Sequence, residues 1–347
     1  MGRGVGSSAY PNQTPDDDCQ IMKEKPMKQP IANAPHEKTH IVPKRSKFAS
    51  NLRQVKKEWQ LYSLLVLPVI YLLLFKYIPM MGNVIAFRRY APGGSVFGEE
   101  WVGMRYIEMF IQSSKFWEVF MNNIMLGSVT LLVGFPAPII LALLLNELRS
   151  KRFKKFVQST SYLPHFLSIV IVSGMIFQIT AEDGPINAII RFFGGETILF
   201  MQQADWFLPI YVLSDLWQTV GWGTILYLAA LTGIDESLYE AAKIDGANKW
   251  KQTLHITLPG ITPIIVVLLT LNIGKFMQVG FEKVLLLYNP LIFETADVIS
   301  TYLFRVGLQS GNFSYATAIG LFEALIGLVL VFSANYLSKK ITGASLW

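Results

Sequence analysis

Four ionisable side chains interrupt long apolar stretches of this sequence: Lys76, Asp215, Lys275 and Glu323. A charge at the centre of a bilayer costs about 2.5–3.5 kcal/mol even on lenient scales, so it must face a cavity, a counter-charge or an interface. Lys76 stands close enough to the end of its stretch to reach the interface with its long side chain. The other three keep particular company. Ser214, Gln218 and Gly221 share one helical face, Trp217 and Trp222 flank it, and Asn272 and Gln278 add amides from the next apolar stretch. Flat aromatic faces beside neutral hydrogen-bonding groups suit a sugar, whose ring has apolar C–H faces and a rim of hydroxyls. The same side chains also serve as polar contacts between membrane helices. Either reading fits these residues, a cavity that takes sugar or a network that holds helices together.

No pattern for covalent chemistry accompanies them. A phosphate-binding G-x-x-x-x-G-K-[ST] loop is absent, since Gly274-Lys275 has neither the earlier glycine nor the following Ser or Thr. His36, His40, His165 and His255 are dispersed, without H-E-x-x-H or another ligand spacing. His165, after Pro164, reads as an interfacial or packed residue. No G-x-S-x-G elbow signals a serine nucleophile. The single cysteine, Cys19, excludes an intrachain disulfide and a thiol-rich metal site. We expect no catalytic residue, no metal and no cofactor bound by this chain, hence no enzyme.

The elements that position these residues are membrane spans. Hydrophobic residues make up 52% of the chain and charged ones 16%, with the charges gathered between apolar runs, unlike a soluble core. We read an all-α polytopic membrane protein with six transmembrane helices, near residues 61–81, 119–145, 162–181, 206–231, 261–280 and 314–336, each close to or above the roughly 20 residues needed to cross. The second carries Asn122-Asn123 near one end and Pro136-x-Pro138 within it, and the prolines should kink it.

Loop charges orient the spans. Lys and Arg number 21 in the N-terminal tail, the 146–161 and 232–260 loops and the C-terminus, against seven in the other three connections. By the positive-inside rule the first set, with both termini, is cytoplasmic. The net charge of +6 thus flanks spans and forms no basic module with interleaved aromatics, which argues against nucleic-acid binding. Asp215 then lies roughly 14 Å from the outer end of the fourth span, Glu323 at a similar depth in the sixth, and Lys275 roughly 8 Å from the outer end of the fifth. Trp101, Trp117 and Trp206 stand where an aromatic belt meets the headgroups.

One cytoplasmic loop is far more polar than its surroundings. Ser237 and Glu240 have the spacing of a capping box, Leu238, Ala241 and Ala242 give a short helix an apolar face, and Gly246 suits a left-handed cap. Asn248 can cap a second short helix carrying Trp250, Leu254 and Ile256, and Pro259 suits the first turn of the span that follows. The product is a helix-bend-helix elbow at the membrane surface.

Glu240-Ala241-Ala242, three residues, Gly246, nine residues, then Ile256-x-Leu258-Pro259 resembles the signature loop of the membrane subunits of bacterial ABC importers, and Asp245-Gly246-Ala247 resembles the form common in sugar permeases. Softer likenesses lie in Leu228-Ala229-Ala230-Leu231, Tyr162-Leu163-Pro164-His165 and Ser345-Leu346-Trp347, which look like permeases for oligosaccharides released from plant or algal polysaccharides. The resemblance implies a type I importer permease in a bacterial cytoplasmic membrane, working by alternating access, with this elbow as the coupling helix. It implies as partners a second related permease, two ATP-binding subunits that hold the ATP and Mg, an extracytoplasmic solute-binding protein, and surrounding lipid. A secondary transporter would also hold polar groups at depth but would not need the elbow.

The expected organisation is a disordered basic tail (1–57), a first helix and outer loop (58–114), a transport core (115–340) containing the coupling loop (235–259), and a short cytoplasmic end (341–347). Lys44, Arg45, Lys47, Arg53, Lys56 and Lys57 approach the membrane as a basic cluster suited to anionic headgroups. Met22 and Met27 offer alternative translation starts, and the first span serves as an uncleaved targeting signal.

Overall fold

The computed structural model describes residues 57–342, and the chain divides into two units, Met1–Val66 and Leu67–Trp347. The N-terminal tail apart from Lys57, with Cys19 and the rest of the basic cluster, lies outside the described residues, as does Ser345-Leu346-Trp347. Helix α1, Trp59–Phe87, begins in the first unit. Over Trp59–Leu72 it buries no side chain, as befits an apolar helix turned to lipid. Lys76 falls in its π turn, Leu73–Tyr77.

Five helices among the described residues are long and apolar enough to cross a bilayer: α1, Ser114–Glu147, Ile169–Phe192, Lys249–Gly274 and Phe313–Lys340. The span expected at 206–231 forms a 28-residue helix, Ala204–Leu231, but is not among them. Its polar residues have a physical reason. It packs against Ser114–Gly134, Pro136–Glu147, Lys151–Tyr162 and Leu258–Gly274, and a helix sheathed by protein need not be apolar all round. Close approach is built in: a Cβ on Gly221 would lie 2.0 Å from the Ser161 carbonyl oxygen, and one on Gly223 2.9 Å from Pro138 Cγ.

We label the remaining helices in chain order: α2 Arg105–Gln112, α3 Ser114–Glu147, α4 Lys151–Tyr162, α5 Ile169–Thr180, α6 Pro185–Phe192, α7 Ala204–Leu231, α8 Glu236–Ile244, α9 Lys249–Gly274, α10 Phe281–Leu287, α11 Phe293–Ala296, α12 Ile299–Phe304 and α13 Phe313–Thr342. The two prolines divide α3 into Ser114–Gly134 and Pro136–Glu147, as expected of residues without amide donors. The third span differs from the expected 162–181. Pro164 opens a 3-10 turn over Leu163–Phe166, Leu167 is extended, and the Ser168 hydroxyl accepts from the Ile171 amide to restart the chain as α5. Alone, α5 is about 18 Å long, too short for the hydrocarbon core, and the segment reaches spanning length only when continued to Phe192.

Among the described residues the all-α reading holds apart from one two-residue pairing, Arg88–Arg89 with Glu100–Trp101. Ser314 pins this hairpin to the start of α13, accepting from the Tyr90 amide at 2.9 Å and donating to the Arg88 carbonyl at 2.8 Å. Trp101 stacks on Phe87 and stays 64% exposed. Three apolar clusters hold the second unit together. One joins α3, α5, α7 and α10 around Leu126, Ile176, Phe207 and Val284, a second centres on Phe110 and Ile319, and a third, around Ala142, Tyr227, Leu231 and Ile261, underlies the elbow. Buried Asn123 ties the first two across the fold, donating to the Met277 carbonyl at 3.1 Å.

Candidate functional site

The elbow is built from backbone capping. Helix α8 starts two residues earlier than a Ser237/Glu240 capping box requires, because Asp235 takes the cap and its carboxylate accepts the Ser237 amide at 2.9 Å. Ser237 is thus a second-position residue, and Glu240 sits mid-helix and exposed. The Ser237 amide, and then its hydroxyl, hold the Asp235 carboxyl below the usual carboxylate range.

At the other end Gly246 adopts φ +75°, the Gly246 amide donates to the Lys243 carbonyl at 3.1 Å, and the Ala247 amide reaches Ala242 at 2.8 Å. This is a Schellman turn, with Asp245 as the cap residue. A Cβ on Gly246 would meet nothing within 4 Å, so the requirement for glycine is purely one of backbone angle. The chain restarts on Asn248, whose side chain accepts the Lys251 amide at 2.9 Å. Buried Gln252 clasps the bend by donating to the Ala247 carbonyl at 2.8 Å.

The second arm of the elbow is not a separate short helix. It continues into the membrane as α9, through a π turn at Thr253–Thr257 that contains Ile256. The wider turn reconciles an unbroken helix with Pro259, which has no amide to offer and whose ring would crowd the carbonyl four residues back. Half-buried Leu258 packs into the third cluster, while Pro259 is exposed. Two side-chain links anchor the arms: Tyr239 Oη lies 2.9 Å from Thr257 Oγ1, and Lys249 Nζ 2.9 Å from Glu147 Oε2. Ala241 is exposed beside Leu238, Ile244 is 87% exposed and Trp250 73%, so the elbow presents apolar groups on a charged loop.

The polar residues singled out in the apolar stretches border three cavities or pack elsewhere. Asp215, Asn272, Lys275 and Gln278 line one cavity of about 290 Å³, between α3, α7 and the end of α9, with Phe135 and Phe276 supplying aromatic faces. Gln278 and Glu323 line a neighbouring cavity of about 330 Å³. Ser214 and Trp217 border a third, mostly apolar pocket. Gln218 and Trp222 pack elsewhere: Gln218 donates to the Leu167 carbonyl at 3.2 Å, and Trp222 stacks on His165 with ring centres 4.5 Å apart. Ser214 returns its hydroxyl to its own helix, at Ile210 and Tyr211. The face shared by Ser214, Gln218 and Gly221 is real, but Gln218 and Gly221 turn to the α4–α5 segment.

Lys275 also departs from its expected place within the fifth span. Helix α9 ends at Gly274, and Lys275 is its exposed C-cap residue. The span begins about a dozen residues earlier than the expected 261, and reaches its length sooner.

Sequence reasoning missed the partner of Asp215. Lys283, on α10, is 3% exposed and places Nζ 3.6 Å from Asp215 Oδ1, over the Tyr211 ring at 4.8 Å. It missed equally the pair of Asp297 with Arg305, in which the carboxylate is fully buried and also accepts from Thr301 Oγ1 at 2.8 Å. Among the described residues no group of His, Cys, Asp and Glu could hold a metal.

The profile of binding-protein-dependent transport system inner membrane components matches residues 134–343. The chain is 46% identical to the polygalacturonan/rhamnogalacturonan transport system permease protein YteP of Bacillus subtilis (strain 168), over 90% of this chain and 98% of that one. It is 45% identical to Protein LplB of the same organism, over 85% and 93%. A crystal structure of a bacterial ABC transporter involved in import of the acidic polysaccharide alginate superposes with a TM-score of 0.78 at 42% identity, covering 84% of this chain and 99% of that chain. A second, of a bacterial alginate ABC transporter in complex with an alginate pentasaccharide-bound periplasmic protein, gives 0.79 at 41%, covering 85% and 99%.

Proposed function

The chain belongs to the inner membrane components of binding-protein-dependent transport systems, and on that premise we propose that it is the permease subunit of an ATP-driven sugar importer. Its substrate is an oligosaccharide cut from a plant or algal polysaccharide, moved across the cytoplasmic membrane by alternating access. The observation that carries the reading is the elbow: a rigidly capped bend whose exposed Leu238, Ile244 and Trp250 have the apolar character of a docking surface.

In this mechanism two ATP-binding subunits, which hold the ATP and Mg, seat the elbows of this chain and of a second related permease. Glu240, Ala241, Ala242, Asp245, Gly246 and Ala247 form the seated arm and its bend, and Ile256, Leu258 and Pro259 carry movement into α9. Closure of the ATPases on nucleotide becomes rigid-body motion of the spans. An extracytoplasmic solute-binding protein delivers sugar to the face opposite the elbow, and both termini lie in the cytoplasm. The path runs past Asp215, Asn272, Lys275 and Gln278, with Glu323 beside it. Ser214, Trp217, Gln218 and Trp222 act behind that wall, as packing around it.

The test is reconstitution of the complete importer in vesicles. Sugar-loaded binding protein should raise ATP turnover and drive uptake, and Gly246→Pro should abolish both, because proline cannot adopt the positive φ of the bend. Intact ATPase assembly and coupled uptake in Gly246→Pro would falsify the coupling role.

A further inference from the structure

The cavity bordered by Asp215 and Lys275 contains two opposite charges, and their balance decides what kind of sugar it can take. Asp215 is already engaged from behind by Lys283, which is itself buried and donates in addition to the Tyr211 carbonyl at 3.3 Å. Lys275 has no such partner: among the described residues no carboxylate stands within ion-pairing distance of it. Glu323 faces the neighbouring cavity, across a wall that includes Gln278. The cavity therefore offers one compensated carboxylate and one uncompensated ammonium. Lys275 caps the C-terminus of α9, where the helix dipole favours the protonated lysine.

The remaining lining is suited to a pyranose ring. Phe135 and Phe276 present aromatic faces, Asn272 and Gln278 present amides, and the Thr130 hydroxyl is buried in the wall without a hydrogen-bond partner. A volume of about 290 Å³ is at the small end of ligand sites, enough for a sugar unit and too small for a whole oligosaccharide.

We propose that this cavity is a uronate subsite, in which Lys275 receives the carboxylate of an acidic sugar unit while Lys283 keeps Asp215 from repelling it. The proposal rests on the sugar-permease reading and adds the residue that reads the charge. A lysine supplies a point charge, so arginine should substitute and glutamine should not.

Direct binding to the purified importer in nanodiscs, without binding protein, tests this by calorimetry with trigalacturonate and its fully methyl-esterified form as probes. Trigalacturonate should bind more tightly than the ester, and Lys275→Gln should weaken it about tenfold, the usual scale for a lost charge-assisted hydrogen bond, while leaving the ester unchanged. Lys275→Arg should retain most of the preference. Equal weakening of both probes, no change in either, or failure of the wild-type importer to bind trigalacturonate would overturn the subsite. ATP-coupled uptake of neutral oligosaccharides by that same wild-type complex would leave the permease reading standing, so the two failures are distinguishable.

Discussion

The Tyr239 hydroxyl lies 2.9 Å from Thr257 Oγ1, joining the exposed arm of the elbow to the buried base of α9 across 18 residues of chain. The link ties a side chain of α8 to the base of α9, so it bears on how faithfully the two move together. Removing the hydroxyl in Tyr239→Phe should cost about 0.5–1.5 kcal/mol of local stability without unfolding the chain. We expect normal assembly with fewer sugars imported per ATP hydrolysed, measured in reconstituted vesicles. An unchanged ratio would remove this contact from the coupling path.

Asp215 and Lys283 should be inseparable thermodynamically. Asp215→Asn strands a lysine that is 3% exposed, and removing one partner of a buried pair typically costs about 3–5 kcal/mol. Asp215 is itself 27% exposed, which places the expected loss toward the lower end. Asp215→Asn with Lys283→Met should recover most of it. Thermal unfolding of the four proteins in detergent closes the cycle, and strictly additive effects would show that the pair is not coupled.

Gly221 predicts a steric failure against backbone atoms, where Gly223 would meet only a proline side chain. Its added Cβ would meet the Ser161 carbonyl oxygen at 2.0 Å and the carbonyl carbon at 2.3 Å, backbone atoms that cannot swing aside. Gly221→Ala should therefore destabilise by at least the about 1–3 kcal/mol usual for overpacking. Gly174→Ala, where nothing lies within 4 Å, is the control and should fold normally. Yield and melting temperature after solubilisation report the difference.

Local backbone chemistry was readable from sequence where a single residue type has a single solution. Gly246 announced its positive φ, and Asn248 its cap, because few residues do either job. The start of α8 was not readable in the same way. Asp235 and Ser237 are both good caps, and only the folded geometry shows which carboxylate or hydroxyl meets an amide. Lys283 was hidden for another reason. It is 68 positions from Asp215, in a connection between spans, and helical periodicity relates only residues on one helix. Lys275 falls outside its expected span because the membrane helix already includes the polar arm of the elbow and so ends at Gly274.

That continuity has a mechanical consequence. From Lys249 to Gly274 the chain is one helical rod of 26 residues, about 39 Å long, with the bend of the elbow at one tip and Asn272 near the other. A rod that pivots where Ile261 packs against Tyr227 and Leu231 of α7 would move as a seesaw. Displacement of the Lys249 tip by one helical pitch, about 5.4 Å, carries the Asn272 tip a comparable distance the opposite way. Widening at one membrane face and narrowing at the other would then be a single movement, with no signal needing to be relayed between them.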